Sequence, residues 1–407
     1  MFSFLLFVLF SCSSYIYCIE VCEDFKYYVK PDDKHCHDNP DGERNLTEIL
    51  KNWKGVTVEE HNIFTKDGYQ ILINRAYTHK DKNPVVLGPG AFFTTLAFAN
   101  RGNKSLAHHL ILEGHDLWIV NFRSGPYSRG HKSLKDTDEK YWQFSLYEMA
   151  VYDLDSALEL VMEKAGKKGI YIGHGGGSTI GYIYSSVKVE AAQSNLKGII
   201  ALGHLAYMDG TKSYLRFLLP LVDYLKPVIN QRLHGEFPLD WGELKCESLL
   251  DYYTYEIGKV PIYGDDFAEI DPVYLPIMRT QNKQKSVGVN VLIHLYQIMK
   301  SKKFQAFDFG AAVNQQKYGQ STPPEYNISA IPVPVTIFLG NNDWIATNPN
   351  AQRFYSQLNP DVQCGYKTVE CSKWNHNDFI EAKDIELFLY GPLFEAIDNM
   401  SFGMCVK

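Results

Sequence analysis

The chain lacks the excess charge and the repeat patterns that mark several protein classes. Its 40 Lys and Arg residues stand against 47 Asp and Glu residues, a net charge of −7, so no basic excess is present to hold a nucleic-acid backbone. With 45% hydrophobic and 21% charged residues, the composition is that of a globular protein and not of a disordered or coiled-coil one. We find no internal repeat and no low-complexity segment in the 407 residues.

Long apolar runs are also missing beyond the first residues. Met1 to Ile19 is apolar and uncharged, but Ser and Cys interrupt it and it is short for a membrane span of about 20 residues. We interpret residues 1–18 as a secretory signal peptide cleaved near Cys18; the absence of an early Lys or Arg leaves an uncleaved anchor as the alternative. The secretory route predicts a protein that is secreted or delivered to a lysosome-like compartment.

Cysteine is scarce, and its spacing excludes the common zinc motifs. No Cys-x-x-Cys pair occurs, and we expect neither a metal nor a cofactor. Because an oxidising compartment preserves disulfides, proximity in sequence favours Cys22 with Cys36 and Cys364 with Cys371. Cys246 and Cys405 are the other two cysteines beyond the signal. The Asn-x-Ser/Thr sequons predict glycosylation at Asn45, Asn103, Asn327 and Asn399.

The hydrophobic pattern predicts an α/β protein. Val56 to Arg75 alternates around a Lys-Asp-Gly turn, which indicates a hairpin. Short apolar strands then alternate with helical patterns, which is typical of a doubly wound, mostly parallel sheet. The predicted strands are Pro84 to Leu87, Asp116 to Asn121, Gly169 to Ile172, Gly198 to Leu202 and Val333 to Leu339. The predicted helices are Ser105 to Glu113, Tyr147 to Ala165, Tyr214 to Val228, Val289 to Met299 and Ala382 to Ile397.

The strand pattern stops between about residues 209 and 304, where helical runs and aromatic side chains take its place. An inserted helical cap is the simplest explanation. We therefore predict a core formed by residues 19–208 and 305–407, with a cap or lid at residues 209–304.

The most informative absence is that of one serine. In an α/β-hydrolase the nucleophile lies on a Gly-x-Ser-x-Gly turn between a strand and a helix, and the acid and the histidine follow later in the chain. The matching turn here reads Gly-His-Gly-Gly-Gly from Gly173 to Gly177. Gly175 occupies the nucleophile position, and no Gly-x-Ser-x-Gly occurs elsewhere. Glycine has no side chain with which to form an acyl-enzyme.

Taken with its neighbours, this turn resembles that of the acid lipase family, which comprises gastric and lysosomal acid lipases with an α/β-hydrolase fold. The resemblance extends over essentially the whole mature chain. Its matching stretches occur in family order: His61 to Arg75, Gly114 to His131, Tyr141 to Asp153, Ile172 to Gly177, Phe304 to Tyr326, Leu339 to Trp344 and Asn375 to Ile380.

The resemblance implies roles for particular residues. Asp343, in Gly-Asn-Asn-Asp-Trp, matches the catalytic acid, and His376, in Asn-His-Asn-Asp-Phe, matches the catalytic histidine. The backbone N–H groups of Ala91 and Gly176 match the oxyanion donors, whose function does not depend on the side chain. Where the family usually has His-Gly, this chain has Pro89 followed by glycine, and proline removes a donor and fixes φ.

Three other side chains have simpler structural explanations. Ser178 lies about one helical turn, roughly 5 Å, beyond the elbow, so capping or packing is favoured over a role as substitute nucleophile. His174 and His294 are expected to be packed histidines. The Asp343–His376 pair also has a structural alternative. It is then a buried hydrogen-bonded unit that persists in a protein without catalytic activity.

These observations favour a secreted, glycosylated, catalytically impaired member of the family that binds lipid or ester ligands in a capped apolar cleft. An active lipase or esterase with an unusual nucleophile such as Ser178 is the first alternative. A structural or partner-binding protein with a collapsed cleft is the second. The expected ligands are small lipids or esters, with at most transient contact with a lipid surface and no nucleic acid; the oligomeric state is left open.

Overall fold

A mixed, mostly parallel sheet forms the centre of the molecule. The structure is a computed structural model that describes residues 20–29, 33–123, 125–239, 249–281 and 286–405, so the predicted signal peptide and Cys246 lie outside the described residues. Its strands are β1 (Glu20–Cys22), β2 (Cys36–Asp38), β3 (Thr57–Phe64), β4 (Tyr69–Tyr77), β5 (Pro84–Gly88), β6 (Asp116–Asn121), β7 (Gly130–His131), β8 (Gly169–His174), β9 (Leu196–Leu202), β10 (Glu236–Pro238), β11 (Ser286–Gly288), β12 (Val335–Leu339) and β13 (Gln363–Thr368).

The central sheet runs in the order β13-β12-β9-β8-β5-β6-β4-β3, and β7 adds to β4. Neighbours from β13 to β6 are parallel, while β4 pairs antiparallel with β6 and β3. The predicted hairpin is confirmed, because β3 and β4 pair from Thr57 opposite Tyr77 to Phe64 opposite Gln70. The predicted strands 84–87, 116–121, 169–172, 198–202 and 333–339 all coincide with strands of this sheet.

Helices cover the sheet and lie in its connections. They are α1 (Leu46–Asn52), α2 (Leu106–Leu112), α3 (Leu146–Glu148), α4 (Asp155–Ala165), α5 (Gly176–Val187), α6 (Val189–Asn195), α7 (Leu215–Leu233), α8 (Leu249–Tyr263), α9 (Leu275–Gln281), α10 (Val289–Ser301), α11 (Ala311–Tyr318), α12 (Asn348–Tyr355), α13 (Asp378–Glu381) and α14 (Gly391–Ser401). Two π-helical segments, Met149–Leu154 and Glu386–Tyr390, precede α4 and α14.

Both faces of the sheet are buried, which explains the short continuous apolar strands. In β5, Val85 and Leu87 belong to one hydrophobic cluster and Val86 to the other. In β8, Ile170 and Tyr171 divide between the same two clusters. Strands with apolar residues on both sides need cover on both sides, and this is the arrangement of a doubly wound α/β sheet.

The predicted helix from Tyr147 to Ala165 contains a π-helical interruption that its periodicity did not indicate. Within it, the fully buried carboxylate of Asp153 accepts hydrogen bonds from the backbone and guanidinium of Arg123, the shortest 2.6 Å long. Gly166 ends the helix at a left-handed φ of 64°, which glycine adopts without the strain of a side chain.

Between β9 and β12 the chain forms α7 to α11 and the two-stranded ribbon β10–β11, with no strand of the central sheet among the described residues. Pro220 and Pro227 lie inside α7. None of the helices in the described part of the chain is both long and apolar enough to cross a membrane. The division into a core and a cap at residues 209–304 stays a prediction.

One predicted disulfide is confirmed and the other is wrong. Cys22 and Cys36 are bonded across the β1–β2 ribbon. Cys364 is bonded to Cys405 and not to Cys371, which is a free thiol. The reason is β13, because a strand that rises about 3.3 Å per residue carries Cys371 away from Cys364, while the chain after α14 returns to the start of the strand.

The end of the chain also differs from expectation. The predicted final helix from Ala382 to Ile397 begins only at Glu386, as a π-helical segment, and continues as α14 to Ser401. The edge strand β13 was not predicted, because its sequence Gln-Cys-Gly-Tyr-Lys-Thr has neither an apolar run nor clear alternation.

Candidate active site

A sharp turn between β8 and α5 places Gly175 at the carboxyl edge of the sheet. Gly175 has φ 50° and ψ −114°, a conformation that is strained for any residue with a side chain. Its N–H donates to the carbonyl of Leu202 over 2.9 Å, and its carbonyl accepts from Ser178 N over 3.0 Å. This strand–turn–helix geometry is that of a nucleophile elbow.

Neighbouring glycines permit the close approach that this turn requires. An ideal Cβ on Gly173 would lie 2.5 Å from the backbone of Gly177 and Ser178. A Cβ on Gly177 would overlap the carbonyl oxygen of Gly88, at the end of β5. Side chains at these positions would push β8, α5 and β5 apart, so the run of glycines holds the elbow in place by sterics.

Asp343 and His376 meet beside the elbow, from the loops that follow β12 and β13. His376 Nδ1 lies 2.8 Å from Asp343 Oδ2, and both residues are buried. The other carboxylate oxygen of Asp343 accepts from the backbone N–H groups of Ile345 at 2.8 Å and Ala346 at 2.7 Å. A carboxylate held in this way orients the imidazole and places the proton on Nδ1, which leaves Nε2 with a lone pair.

The imidazole of His376 faces Gly175. An ideal Cβ on Gly175 would lie only 2.7 Å from His376 Nε2, and one on Gly203, also close to the ring, would lie 3.0 Å from Cε1. The ring therefore borders the space into which a nucleophile side chain would project. At this distance a side chain at position 175 requires the ring to move.

The two predicted oxyanion donors lie next to each other. A Cβ on Gly176 would be 3.2 Å from Ala91 N. Phe93 N donates to Gly90 O over 3.0 Å, so the chain turns directly after Pro89 and brings Ala91 to the elbow. Among the described residues, no acceptor is bonded to the N–H of either Ala91 or Gly176.

Ser178 is engaged elsewhere. Its hydroxyl donates to the carbonyl of Gly175 over 2.6 Å and accepts from the N–H of Leu205 over 3.1 Å. The side chain is fully buried in the first turn of α5. The structure brings Asp343 and His376 together at Gly175, but it does not bring the Ser178 hydroxyl into a hydrogen bond with His376.

The other two histidines considered in the sequence analysis, His174 and His294, are buried and hydrogen-bonded to backbone. His174 Nε2 donates to the carbonyl of His376 over 2.9 Å, and burial, with a smaller effect of the nearby His376, lowers the pKa of His174 to about 3. His294 Nε2 donates to Gln305 O over 2.9 Å, and burial lowers the pKa of His294 to about 4. Both side chains are thus neutral donors that position backbone.

Two cavities open onto this centre. The smaller is bordered by Gly176, His174 and His376; its apolar wall consists of Phe93, Leu205, Met208, Leu215, Leu295 and Ile345. The larger reaches from Ala91 towards the polar side chains of Thr95, Asn121 and Arg123. Both cavities are lined by the loop from Gly90 to Phe93 and by Gly176.

Sequence reasoning missed the contact that the end of α8 makes with the loops that carry Asp343 and His376. The carbonyl of Tyr263 accepts from Trp344 N over 3.2 Å. A Cβ on Gly264 would overlap Asn342 O, so only glycine fits here. Asp266 hydrogen-bonds with the carboxyl group of Asp378, and burial raises the pKa of both carboxyl groups. No motif signals these contacts, because they join segments more than 70 residues apart.

The four sequons differ in exposure. Asn103 and Asn327 are exposed. Asn45 caps α1, where its side chain accepts from Glu48 N over 3.0 Å. Asn399 is half-buried within α14. Within the described residues, no group of three or more His, Cys, Asp or Glu side chains is arranged to hold a metal ion.

Comparison with known proteins gives relatives along most of the chain. Human lysosomal acid lipase/cholesteryl ester hydrolase is 31% identical over 374 residues, which cover 87% of this chain and 91% of the relative. Human lipase member N is 30% identical over 372 residues, with the same coverage. A soluble variant of monoglyceride lipase from Saccharomyces cerevisiae, solved with a substrate analogue, superposes with a TM-score of 0.51 at 15% identity, over 86% of this chain and 95% of that one. No protein-family model matches the chain.

Proposed function

The chain belongs to the acid lipase family of α/β-hydrolases, and from this membership we propose that it is a secreted member that binds lipids or esters without hydrolysing them. The observation that carries the proposal is Gly175. It stands at the elbow, with the imidazole of His376 directly against it. The acid, the base and the turn are in place, and the atom that attacks the ester is missing.

The missing hydroxyl removes the covalent step. Acyl transfer in this fold requires a side-chain oxygen that attacks the ester carbonyl and carries the acyl group. Loss of the serine from such a triad costs on the order of a million-fold in turnover, and the residual rate comes from binding and the oxyanion hole. We therefore expect hydrolysis to be negligible beside that of a serine-containing relative.

The cleft supports binding. Its apolar wall and the unpaired N–H groups of Ala91 and Gly176 are the features with which a hydrolase holds an acyl group and its carbonyl oxygen. Neither feature depends on a nucleophile. In this proposal Asp343 and His376 are the retained acid and base, and Ala91 and Gly176 are the oxyanion donors.

The remaining parts of the proposal follow from the sequence. Residues 1–18 direct the chain to the secretory pathway, and residues 209–304 form a cap over a core of residues 19–208 and 305–407. Side chains on α7 support transient contact with a lipid surface, since Phe217 is 60% and Tyr224 80% exposed. Of the sequons, the exposed Asn103 and Asn327 are the best placed for glycosylation.

The hydrogen bonds of Ser178 argue against the alternative of an active lipase. The proton of its hydroxyl is directed to Gly175 O, and the oxygen accepts from Leu205 N, whereas a nucleophile must lie within about 3.2 Å of its base. Incubation with a fluorophosphonate probe tests this directly. We expect no covalent label on Ser178; a labelled Ser178 would establish the alternative.

Extraction of the native protein tests binding. We expect mass spectrometry of the protein purified from its own secretory cells to detect co-purified lipid in near-stoichiometric amount. A matched preparation of Leu295→Arg, which places a charge on the apolar wall, should carry much less. Native protein free of lipid, and unable to take up an added long-chain ester, would support a collapsed cleft and contradict the proposal.

A further inference from the structure

Three polar groups without partners converge where the nucleophile is missing. Two are the N–H groups of Ala91 and Gly176, which have no acceptor among the described residues. The third is Nε2 of His376, whose Nδ1 is bonded to Asp343. All three residues line the smaller cavity, together with His174, whose buried Nδ1 has no hydrogen-bond partner among the described residues. Polar groups that lack partners in a largely apolar cavity cost free energy, so the cavity suits a polar ligand head.

The local field favours a negative head group. The 12-residue helix α5 begins at Gly176, and its amino-terminal end points at the same space. Unpaired N–H groups and the helix dipole both stabilise an anion at such a place. In a serine hydrolase the hydroxyl proton bonds to the histidine Nε2, whereas here that nitrogen is left for the ligand.

We propose that this centre binds the carboxyl group of a long-chain fatty acid, in preference to the esters that a lipase would hold there. One carboxyl oxygen accepts from Ala91 N and Gly176 N, and the other shares a single proton with His376 Nε2. This inference rests on the proposed function and names the ligand of the same cleft. The hydrocarbon tail packs against the apolar wall that includes Leu205, Leu295 and Ile345.

The chemistry of the proton separates an acid from an ester. With Nδ1–H directed to Asp343, a neutral His376 presents a lone pair at Nε2 and needs a donor. A fatty acid supplies the proton itself, or leaves it on the imidazole as a carboxylate–imidazolium pair, and both forms carry the same total charge. An ester oxygen has only lone pairs, so it faces the neutral Nε2 without a hydrogen bond.

Other groups around the ring do not compete for this proton. The titratable side chains that face His376 are Asp343 at its Nδ1, His174 at a ring-centroid distance of 4.8 Å, and Tyr263, stacked at 6.3 Å. His174 donates from Nε2 to the backbone of His376, and its buried Nδ1 has no hydrogen-bond partner among the described residues. Burial lowers the pKa of His174 to about 3, so His174 is a poor acceptor for the ligand proton. Nε2 of His376 is therefore the group that determines how the ligand proton affects binding.

The experiment compares palmitic acid with methyl palmitate as competitors of a bound fluorescent fatty-acid analogue, at one neutral pH. We expect the acid to bind at least about tenfold more tightly than the ester, since only the acid forms a charge-assisted hydrogen bond with His376. His376→Phe should abolish this preference while ester binding stays within about threefold. His37→Ala, an exposed histidine on β2, is the matched control and should keep the preference.

A second measurement does not depend on how the variants fold. In native protein loaded with carboxyl-labelled palmitate, the carbon-13 resonance should differ from that of free palmitate at the same pH, and the nitrogen-15 resonance of His376 Nε2 should shift when palmitate is added. Equal or tighter binding of the methyl ester would overturn the inference and leave the proposed function standing. Failure of both ligands to bind would overturn the proposed function as well.

Discussion

The loop after β8 and the loops after β12 and β13 face each other across one cleft, yet they contain different parts of a hydrolase site. The first keeps the backbone of a nucleophile elbow around Gly175 without its functional atom. The others keep their functional atoms, with Asp343 and His376 joined over 2.8 Å. Hydrolysis needs all of these parts together, whereas binding needs only the backbone donors and the apolar wall. The difference is the one that the proposed binding function requires.

Restoring the missing atom should have the largest effect. Gly175→Ser places a hydroxyl between the oxyanion donors and His376, and we expect esterase turnover to rise by about a thousandfold or more. The gain should stay below that of a native lipase, because the ring of His376 must first move away from the new Cβ. Hydrolysis of p-nitrophenyl butyrate and fluorophosphonate labelling at position 175 measure it.

Gly175→Ala is the control for this reversion, because it adds the same Cβ without the hydroxyl and should give no activity. If a folded Gly175→Ser protein showed neither turnover nor label, the retained loops would not be competent. The contrast between the two regions would then be false.

A steric clash at the elbow backbone should by itself destabilise the protein. Gly177→Ala brings a methyl group into the carbonyl of Gly88, and we expect a loss of about 2 kcal/mol or more in the free energy of unfolding. Gly391→Ala is the matched control, because nothing lies within 4 Å of its Cβ position. Denaturant unfolding measures both. An equal effect of the two variants would show that close packing does not maintain the elbow.

Ionisable groups on the two sides of the cleft should also change the folding stability in opposite directions as pH changes. On the side of His376, burial raises the pKa of Asp378, so its contribution to stability is present at low pH and is lost as pH rises through the raised pKa. On the side of Gly175, burial lowers the pKa of His174 to about 3. Its contribution is present above the pKa of an unfolded histidine and is lost as pH falls towards 3.

Asp378→Asn isolates the first of these effects. The amide cannot ionise, so the variant should gain melting temperature relative to the native protein as pH rises from 4 to 8, with little difference at the acidic end. Asp361→Asn, at an exposed position, should show no such trend. Parallel melting curves for Asp378→Asn and native protein across this range would contradict a buried, protonated carboxyl group.

The smallest effect is expected at Pro89. The missing proline N–H is not one of the two oxyanion donors, and Ala91 N already lies beside the elbow. In the Gly175→Ser background, we therefore expect Pro89→His to change turnover by less than about tenfold. A gain of several orders of magnitude would place the decisive defect in this loop instead of at Gly175.

Much of the fold could be predicted from local pattern. The hairpin β3–β4 and the buried strands β5, β6, β8 and β9 follow from alternation and from short apolar runs, which are local properties. The edge strand β13 was not predicted, because its polar residues carry no such pattern. The bond between Cys364 and Cys405 was not predicted either, because it depends on where α14 returns the chain.

The candidate site also has features that the sequence predicts and features that it does not. Gly175, Asp343 and His376 were predictable because each lies in a short motif at the end of a strand. The shared hydrogen bond of Asp266 and Asp378 was not, since it joins two loops that only the folded chain brings together. Nor could sequence show that the ring of His376 lies against the glycine that replaces the nucleophile.

Binding of an ester without its hydrolysis is tested most directly by an ester-cleavage assay on the native protein beside His376→Ala. A saturating long-chain ester is incubated with each protein, and the bound ester and the released acid are measured in the same sample. We predict that native protein retains about one ester per molecule and releases acid no faster than His376→Ala. Release at an ordinary enzymatic rate, about 10 per second, that disappears in His376→Ala would contradict it.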